Sequence, residues 1–240
     1  MNEPTRLLIH GASGRMGRAC LRLATADPGL RVVAAVIGRT PPPLDSPSIP
    51  VFGPGQVDRA PDFDVAVDFS LPEAFNGILA ACVARRCAFV SGTTGLSETQ
   101  RTALSEASRH IPIVWASNFS LGVAVLEDLS RRAAKVLSGW DLDIVEVHHA
   151  LKKDAPSGTA LTLGKAVAQS GGKEPRYASL RAGDIVGEHT VQFSGPGERV
   201  ELIHRATNRE IFARGALVAA GKLHGRGPGL YGIADLLLGD

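Results

Sequence analysis

Short apolar runs alternate along the first half of the chain with stretches in which apolar residues recur every three or four positions. Residues 5–10 read as a buried strand, 15–26 as a helix closed by Asp27-Pro28-Gly29, and 31–37 as a second, Val- and Ala-rich strand. A proline-rich loop is expected over 40–50. Strand 65–69, helix 72–85, strand 88–91, helix 98–109 and strand 113–115 follow. Pro72 suits the first turn of its helix, where a missing N–H leaves no bond unmade. Apolar strands separated by such helices are the pattern of a parallel sheet covered by helices. After Asn118 the texture changes. A helix over 123–137 leads to an apolar strand over 143–147, and a second helix over 160–169 is broken by Gly171-Gly172. Residues 185–193 and 200–206 read as antiparallel strands turning at Gly195-Pro196-Gly197-Glu198. Residues 211–222 and 233–238 are helical again and are expected to return to the first sheet.

The first strand runs straight into Gly11-Ala12-Ser13-Gly14-Arg15-Met16-Gly17, which opens the first helix. In that context the glycines have separate uses. Gly11 makes the tight turn, Gly14 leaves room for a pyrophosphate against backbone N–H groups and the positive end of the helix, and Gly17 lets helix and sheet approach. Ser13 stands where the general fingerprint has its middle glycine. The fold class predicted is therefore α/β: a Rossmann-type doubly wound parallel sheet from residues 1–118 and 213–240, with an inserted α+β domain over 119–212. The fingerprint also expects an acidic residue at the end of the second strand, to bond the ribose hydroxyls. Ile37, Gly38, Arg39 and Thr40 occupy that place. Arg39, with Arg15, could pair with a 2′-phosphate, so NADPH is expected over NADH.

Composition narrows the classes. With 44% hydrophobic and 21% charged residues, the 240-residue chain is an ordinary globular protein. A net charge of +2 argues against nucleic acid as the main partner, and Arg85-Arg86 and Arg131-Arg132 read as solvated helix faces. No apolar run reaches membrane-helix length, and the strand after Met1 to Pro4 leaves no room for a signal peptide, so a cytoplasmic protein is expected. Cys20, Cys82 and Cys87 lack metal-ligand spacing and read as reduced core thiols; no metal site is expected.

The densest chemistry lies in Glu146-Val147-His148-His149-Ala150-Leu151-Lys152-Lys153-Asp154-Ala155-Pro156-Ser157-Gly158-Thr159, between an apolar strand and a helix. Two histidines and a lysine at a strand end supply proton donors and a positive charge, both of which a substrate carrying carboxylates would need. Gly158 and Thr159 offer backbone N–H groups and a hydroxyl at a helix start. Asp154 and Ser157 read equally well as turn formers and caps.

This segment resembles the signature of the 4-hydroxy-tetrahydrodipicolinate reductase (dihydrodipicolinate reductase) family of bacterial lysine biosynthesis. The resemblance extends to Gly11 through Gly17, Val67-Asp68-Phe69-Ser70, Gly92-Thr93-Thr94-Gly95, Ala116-Ser117-Asn118-Phe119-Ser120-Leu121-Gly122 and Arg181-Ala182-Gly183-Asp184-Ile185-Val186-Gly187-Glu188-His189. It departs at Ile37, where the family has its acid, and in a shortened stretch over 171–179. The resemblance implies that Gly11, Ala12, Ser13, Gly14, Arg15 and Met16 bind the dinucleotide. It further implies that Gly92, Thr93 and Thr94 with Ala116, Ser117, Asn118 and Phe119 hold its ribose and nicotinamide end. It assigns His148 as proton donor and acceptor and Lys152 as second proton donor, with His149, Gly158 and Thr159 as contacts to a cyclic dicarboxylate. A homotetramer built through the inserted sheet is also implied. Two other readings stay open: a different imine or aldehyde reductase on the same scaffold, such as an amino-acid dehydrogenase, and a non-catalytic dinucleotide-sensing module.

Overall fold

The computed structural model describes residues 3–38 and 49–238. Arg39 and most of the proline-rich stretch therefore lie outside the described residues. The chain divides into two compact units, Met1–Phe119 with Phe212–Asp240, and Ser120–Ile211.

In chain order the first unit supplies β1 (Thr5–His10), α1 (Arg15–Thr25), β2 (Leu30–Val36), β3 (Val51–Phe52), a 3₁₀ turn (Val57–Arg59) and β4 (Val65–Asp68). It continues with α2 (Pro72–Arg85), β5 (Ala88–Ser91), α3 (Glu98–Ala107) and β6 (Pro112–Trp115). Then come α4 (Leu121–Val136), β7 (Asp141–His148), α5 (Gly158–Gln169), β8 (Arg176–Arg181), β9 (Gly187–Gly195) and β10 (Glu198–Ala206). The chain closes with α6 (Glu210–Leu223), β11 (Gly229–Tyr231) and α7 (Ile233–Leu238).

The first sheet has seven strands in the order β11-β6-β5-β4-β1-β2-β3, every pairing parallel. Its strands are apolar at consecutive positions because both faces are buried. Leu7, Ile9, Val67, Val90 and Val114 enter one cluster with Cys20, Leu21 and Ala24 of α1 and Ala213, Ala216 and Ala220 of α6. The intervening Leu8, Ala66, Phe89 and Ile113 point the other way, into Phe75, Ile78 and Cys82 of α2 and Leu104 of α3. A period of two thus divides one run between two cores, each fully buried aliphatic side chain contributing about 2 kcal/mol. This is the doubly wound arrangement. The three cysteines are free and buried, and burial pushes the Cys20 thiol up to about 12.

The second unit carries a four-stranded sheet in the order β10-β9-β7-β8, with β9 antiparallel to both its neighbours and β8 parallel to β7. Leu142 and Ile144 of β7 face α4 and α5 through Leu126, Ala134, Leu163 and Val167. Because side chains alternate, Glu146 and His148 continue the same inward face at the end of β7.

Three differences from the sequence reading have physical reasons. β8 was not foreseen: its six residues, Arg-Tyr-Ala-Ser-Leu-Arg, form an edge strand with no buried position, so no apolar alternation marks it. β3 and β11 are likewise short edges without a pattern long enough to read. The helix expected from residue 160 begins at Gly158, because the Ser157 hydroxyl accepts the Ala160 N–H and fixes the start two residues earlier.

Candidate active site

In the first unit, β1 runs into Gly11, which takes φ +74°, and a Cβ there would lie 2.5 Å from Phe69 O. Glycine alone satisfies both conditions. A Cβ on Gly17 would lie 2.2 Å from Gly11 O, so α1 closes directly on the loop. Gly14 is the N-cap of α1, and no side chain caps this helix. Serine hydroxyls cap α3, α4 and α5. The first-turn amides of Arg15 and Met16 are thus presented as a helix start presents them to phosphate, and the loop fits a dinucleotide pyrophosphate on that ground. Ala12 is buried and its N–H is bonded to Val36 O at 2.9 Å, while Ser13 O accepts Arg18 Nε at 3.1 Å. These two residues shape the turn from within.

The other predicted cofactor residues follow β5 and β6. A Cβ on Gly92 would lie 2.2 Å from the Phe69 ring, which itself meets Phe119 edge-on at 5.9 Å between centroids. Phe119 is buried, Ala116 and Asn118 half-buried, and Ser117 and Thr94 exposed. Trp115 Nε1 donates to Thr93 O at 2.9 Å and ties the two loops together. Thr93 is buried and its hydroxyl donates to Asp68 Oδ2 at 2.7 Å. Asp68 also accepts Ser91 Oγ at 2.8 Å, His10 Nδ1 at 2.7 Å and Ser70 N at 3.1 Å. Burial pushes this carboxyl up, but the bonds from His10, Ser70 and Thr93 outweigh it and hold it below its usual range. It is therefore ionised, accepts only, and requires the hydrogen of His10 on Nδ1.

In the second unit, His148 ends β7 with its Nδ1 on Glu146 Oε2. Glu146 is 0% exposed, and an isolated carboxylate there would cost several kcal/mol. Arg181 offsets that cost with a two-pronged bond, Nη1 to Oε2 at 3.0 Å and Nη2 to Oε1 at 2.8 Å. The Ser157 N–H reaches Oε1 at 3.3 Å. Burial raises the Glu146 carboxyl, but hydrogen bonds from Arg181, Ser179 and His148 prevail and hold it at about 2. Burial lowers the His148 imidazole and Glu146 raises it; Lys152 and Arg181 add to the lowering, and the net direction is down. His189 of β9 stands edge-on to His148 at 5.1 Å, its Nε2 3.1 Å from Ser157 Oγ. Burial, with the neighbouring imidazoles of His148 and His204, lowers it to about 4.

Lys152 Nζ is held by both oxygens of Asp154 at 2.8 Å, so Asp154 is more than a turn former. His149 is half-buried beside His148, with its carbonyl accepting Lys152 N at 3.1 Å. Gly158 and Thr159 are the first two residues of α5, and a Cβ on Gly158 would meet nothing within 4 Å. Open space thus lies beside Gly158. His148, the Lys152 loop and the start of α5 are linked at one end of the second unit through Glu146 and Arg181, with His149 next to His148 in the chain. Neither linking residue has a role assigned from the sequence alone, although each stands in a segment that carries the family resemblance. Glu146 was recoverable, since a carboxylate two positions before His148 in a strand shares its buried face. Arg181 was not, because its partner lies 35 positions away.

A dinucleotide loop on one unit and acid–base side chains beside a helix start on the other define the class: an NAD(P)H-dependent oxidoreductase. Two family models, dihydrodipicolinate reductase N-terminus and C-terminus, match residues 5–119 and 122–237, and the chain belongs to the dihydrodipicolinate reductase family. The 4-hydroxy-tetrahydrodipicolinate reductase of Stenotrophomonas maltophilia (strain R551-3) is 65% identical over 239 residues, covering 99% of this chain and 100% of the relative. That of Xylella fastidiosa (strain 9a5c) is 59% identical over 238 residues, covering 99% and 100%. Among solved structures, the dipicolinate-bound dihydrodipicolinate reductase of Paenisporosarcina sp. TG-14 shares the fold with TM-score 0.82 at 21% identity, covering 95% of this chain and 97% of that one. Among the described residues no helix is long and apolar enough to cross a membrane.

Proposed function

We propose that this chain reduces 4-hydroxy-tetrahydrodipicolinate to tetrahydrodipicolinate in lysine and diaminopimelate biosynthesis, using NAD(P)H. The observation that carries the reading is the cluster of His148, Lys152 and the α5 start, in a chain whose other unit fits a dinucleotide. The first unit binds the cofactor through Gly11, Ala12, Ser13, Gly14, Arg15 and Met16 at the pyrophosphate, and through residues 92–94 and 116–119 at the ribose and nicotinamide. When bound, the nicotinamide supplies a hydride to the substrate's conjugated imine after water has left the ring. Electrons then move towards nitrogen, where a proton must arrive. With Nδ1 occupied by Glu146, His148 exchanges that proton at Nε2. The protein alone lowers this imidazole, and a dicarboxylate placed against it raises it again, because opposite charge favours the protonated ring. Lys152 leaves Asp154 to become the second donor. His149 and the amides of Gly158 and Thr159 hold a carboxylate and so orient the ring.

Three finer readings accompany this one. NADPH is preferred through Arg39, the chain is a homotetramer built on the sheet of the second unit, and it works in the cytoplasm. The test is a paired assay of NADPH and NADH oxidation with the condensation product of aspartate semialdehyde and pyruvate. Turnover is expected, with kcat/KM higher for NADPH, and the NADPH value alone falls about tenfold in Arg39→Ala, the loss of one charge-assisted contact. Absence of turnover with either cofactor overturns the reaction; an unchanged NADPH constant in the variant overturns the role of Arg39.

A further inference from the structure

We infer that the Glu146–Arg181 pair is the positioning element of the site, holding the proton-exchanging histidine, the lysine loop and the anion-facing helix start in fixed relation. The inference deepens the reductase reading and rests on it. Both Glu146 oxygens are engaged, Oε2 by His148 Nδ1 and Arg181 Nη1, Oε1 by Arg181 Nη2 and Ser157 N. Ser157 is the N-cap of α5. Arg181 directs further donors at the loop between β7 and α5, Nη2 to Asp154 O at 2.5 Å and Nε to Lys152 O at 3.3 Å. One buried ion pair therefore touches all three parts of the candidate site, although Arg181 comes from a different strand.

A pair serving stability alone would leave the chemistry of the ring unconstrained. This one does not, because an ionised carboxylate only accepts: the His148 hydrogen must lie on Nδ1, and Nε2 becomes the exchanging nitrogen. The charged and titratable groups facing the ring are Glu146 on its own strand, Lys152 from the following loop, Arg181 from β8 and His189 from β9. Of these, Glu146 is the one that favours protonation. Removing its charge leaves the cations unopposed, so the alkaline fall in turnover moves to lower pH.

The test compares the wild type, Glu146→Gln and the double variant Glu146→Gln/Arg181→Met, which removes the unpaired guanidinium if the single variant fails to fold. In ¹⁵N-histidine spectra at pH 8, assigned by the loss of one ring in His148→Gln, wild-type His148 is expected as the Nδ1–H tautomer and both variants as mixtures. Turnover is expected to fall about 100-fold in Glu146→Gln, as when the orienting partner of a functional imidazole is lost, with the alkaline limb displaced downwards. It is expected to stay low in the double variant even where thermal stability returns. An Nε2–H tautomer in the wild type overturns the inference, as does turnover within threefold of wild type in either folded variant. The tautomer needs no substrate, so a wild type that fails to reduce the proposed substrate refutes the reaction and leaves the positioning role to be judged by the spectra.

Discussion

His148 shows how much one side chain owes to its surroundings. Its Nδ1 is engaged by a carboxylate that is itself 0% exposed, its ring abuts a second imidazole, and two cations lie near it. Gln can fill the space but cannot gain or lose a proton near neutral pH. His148→Gln is therefore expected to lower kcat by about 1,000-fold while KM for the substrate changes less than threefold, the mark of a group acting in the transition state. Steady-state kinetics with saturating NADPH would check this, and near-normal turnover refutes the proton-transfer role. At this scale the sequence was informative where unlike polar groups crowd one short segment. His148, His149 and Lys152 stood out because three ionisable residues beside a helix start are hard to explain as a turn. Thr93, expected at the ribose and nicotinamide end of the cofactor, turns its hydroxyl inward to Asp68.

The strands buried on both faces were the plainest to read. β1, β4 and β5 lie between two layers of helix, so their apolar runs are unbroken. β8 lies at an edge and shows no such run. What joins neighbouring elements was less visible than the elements themselves. Asp68 ends β4, His10 ends β1 and Ser91 ends β5, so one carboxylate fastens three adjacent strand ends and, through Thr93, the loop beyond. The strand endings could be read in sequence; the network across them depends on register. Asp68→Asn keeps the size but replaces two accepting oxygens with one and removes the charge. It is expected to destabilise the chain by about 3 kcal/mol, the usual scale for breaking a buried ionic network. That lowers the thermal midpoint by about 6–12 °C for a domain of this size. A midpoint within 2 °C of wild type would show that the network does not fasten the strands.

The whole molecule holds several buried ionisable groups whose folded states all resist protonation, and acid acts on them in sequence. His189 is lowered to about 4 from 6.5, so the stability it contributes is complete above about pH 6.5 and is lost as pH falls towards 4. Glu146 is lowered to about 2 from 4.5, so its contribution is complete above about pH 4.5 and is lost between there and 2. Asp68 acts in the same direction. The free energy of unfolding from urea titrations is expected to decline in two stages, the first amounting to about 3 kcal/mol from His189. A profile flat from pH 6.5 to 4 contradicts the buried neutral His189. Fold class was readable at this scale because the alternation of strands and helices extends over a hundred residues. The unit containing Glu146 and Arg181 was readable only in outline, since its sheet mixes parallel and antiparallel neighbours.

The first sheet is also assembled out of order in time. Its outer strand β11 pairs with β6 through Gly229 and Pro112, and α6 covers Leu7, Ile9 and Val67 with alanines drawn from beyond residue 212. A ribosome making this protein releases β1 through β6 with α1 already available to one face, but long before α6 completes that layer. The intervening residues Ser120–Ile211 form a continuous unit with a core of their own. The second unit can therefore mature during translation while the first sheet still lacks β11 and the α6 part of its cover.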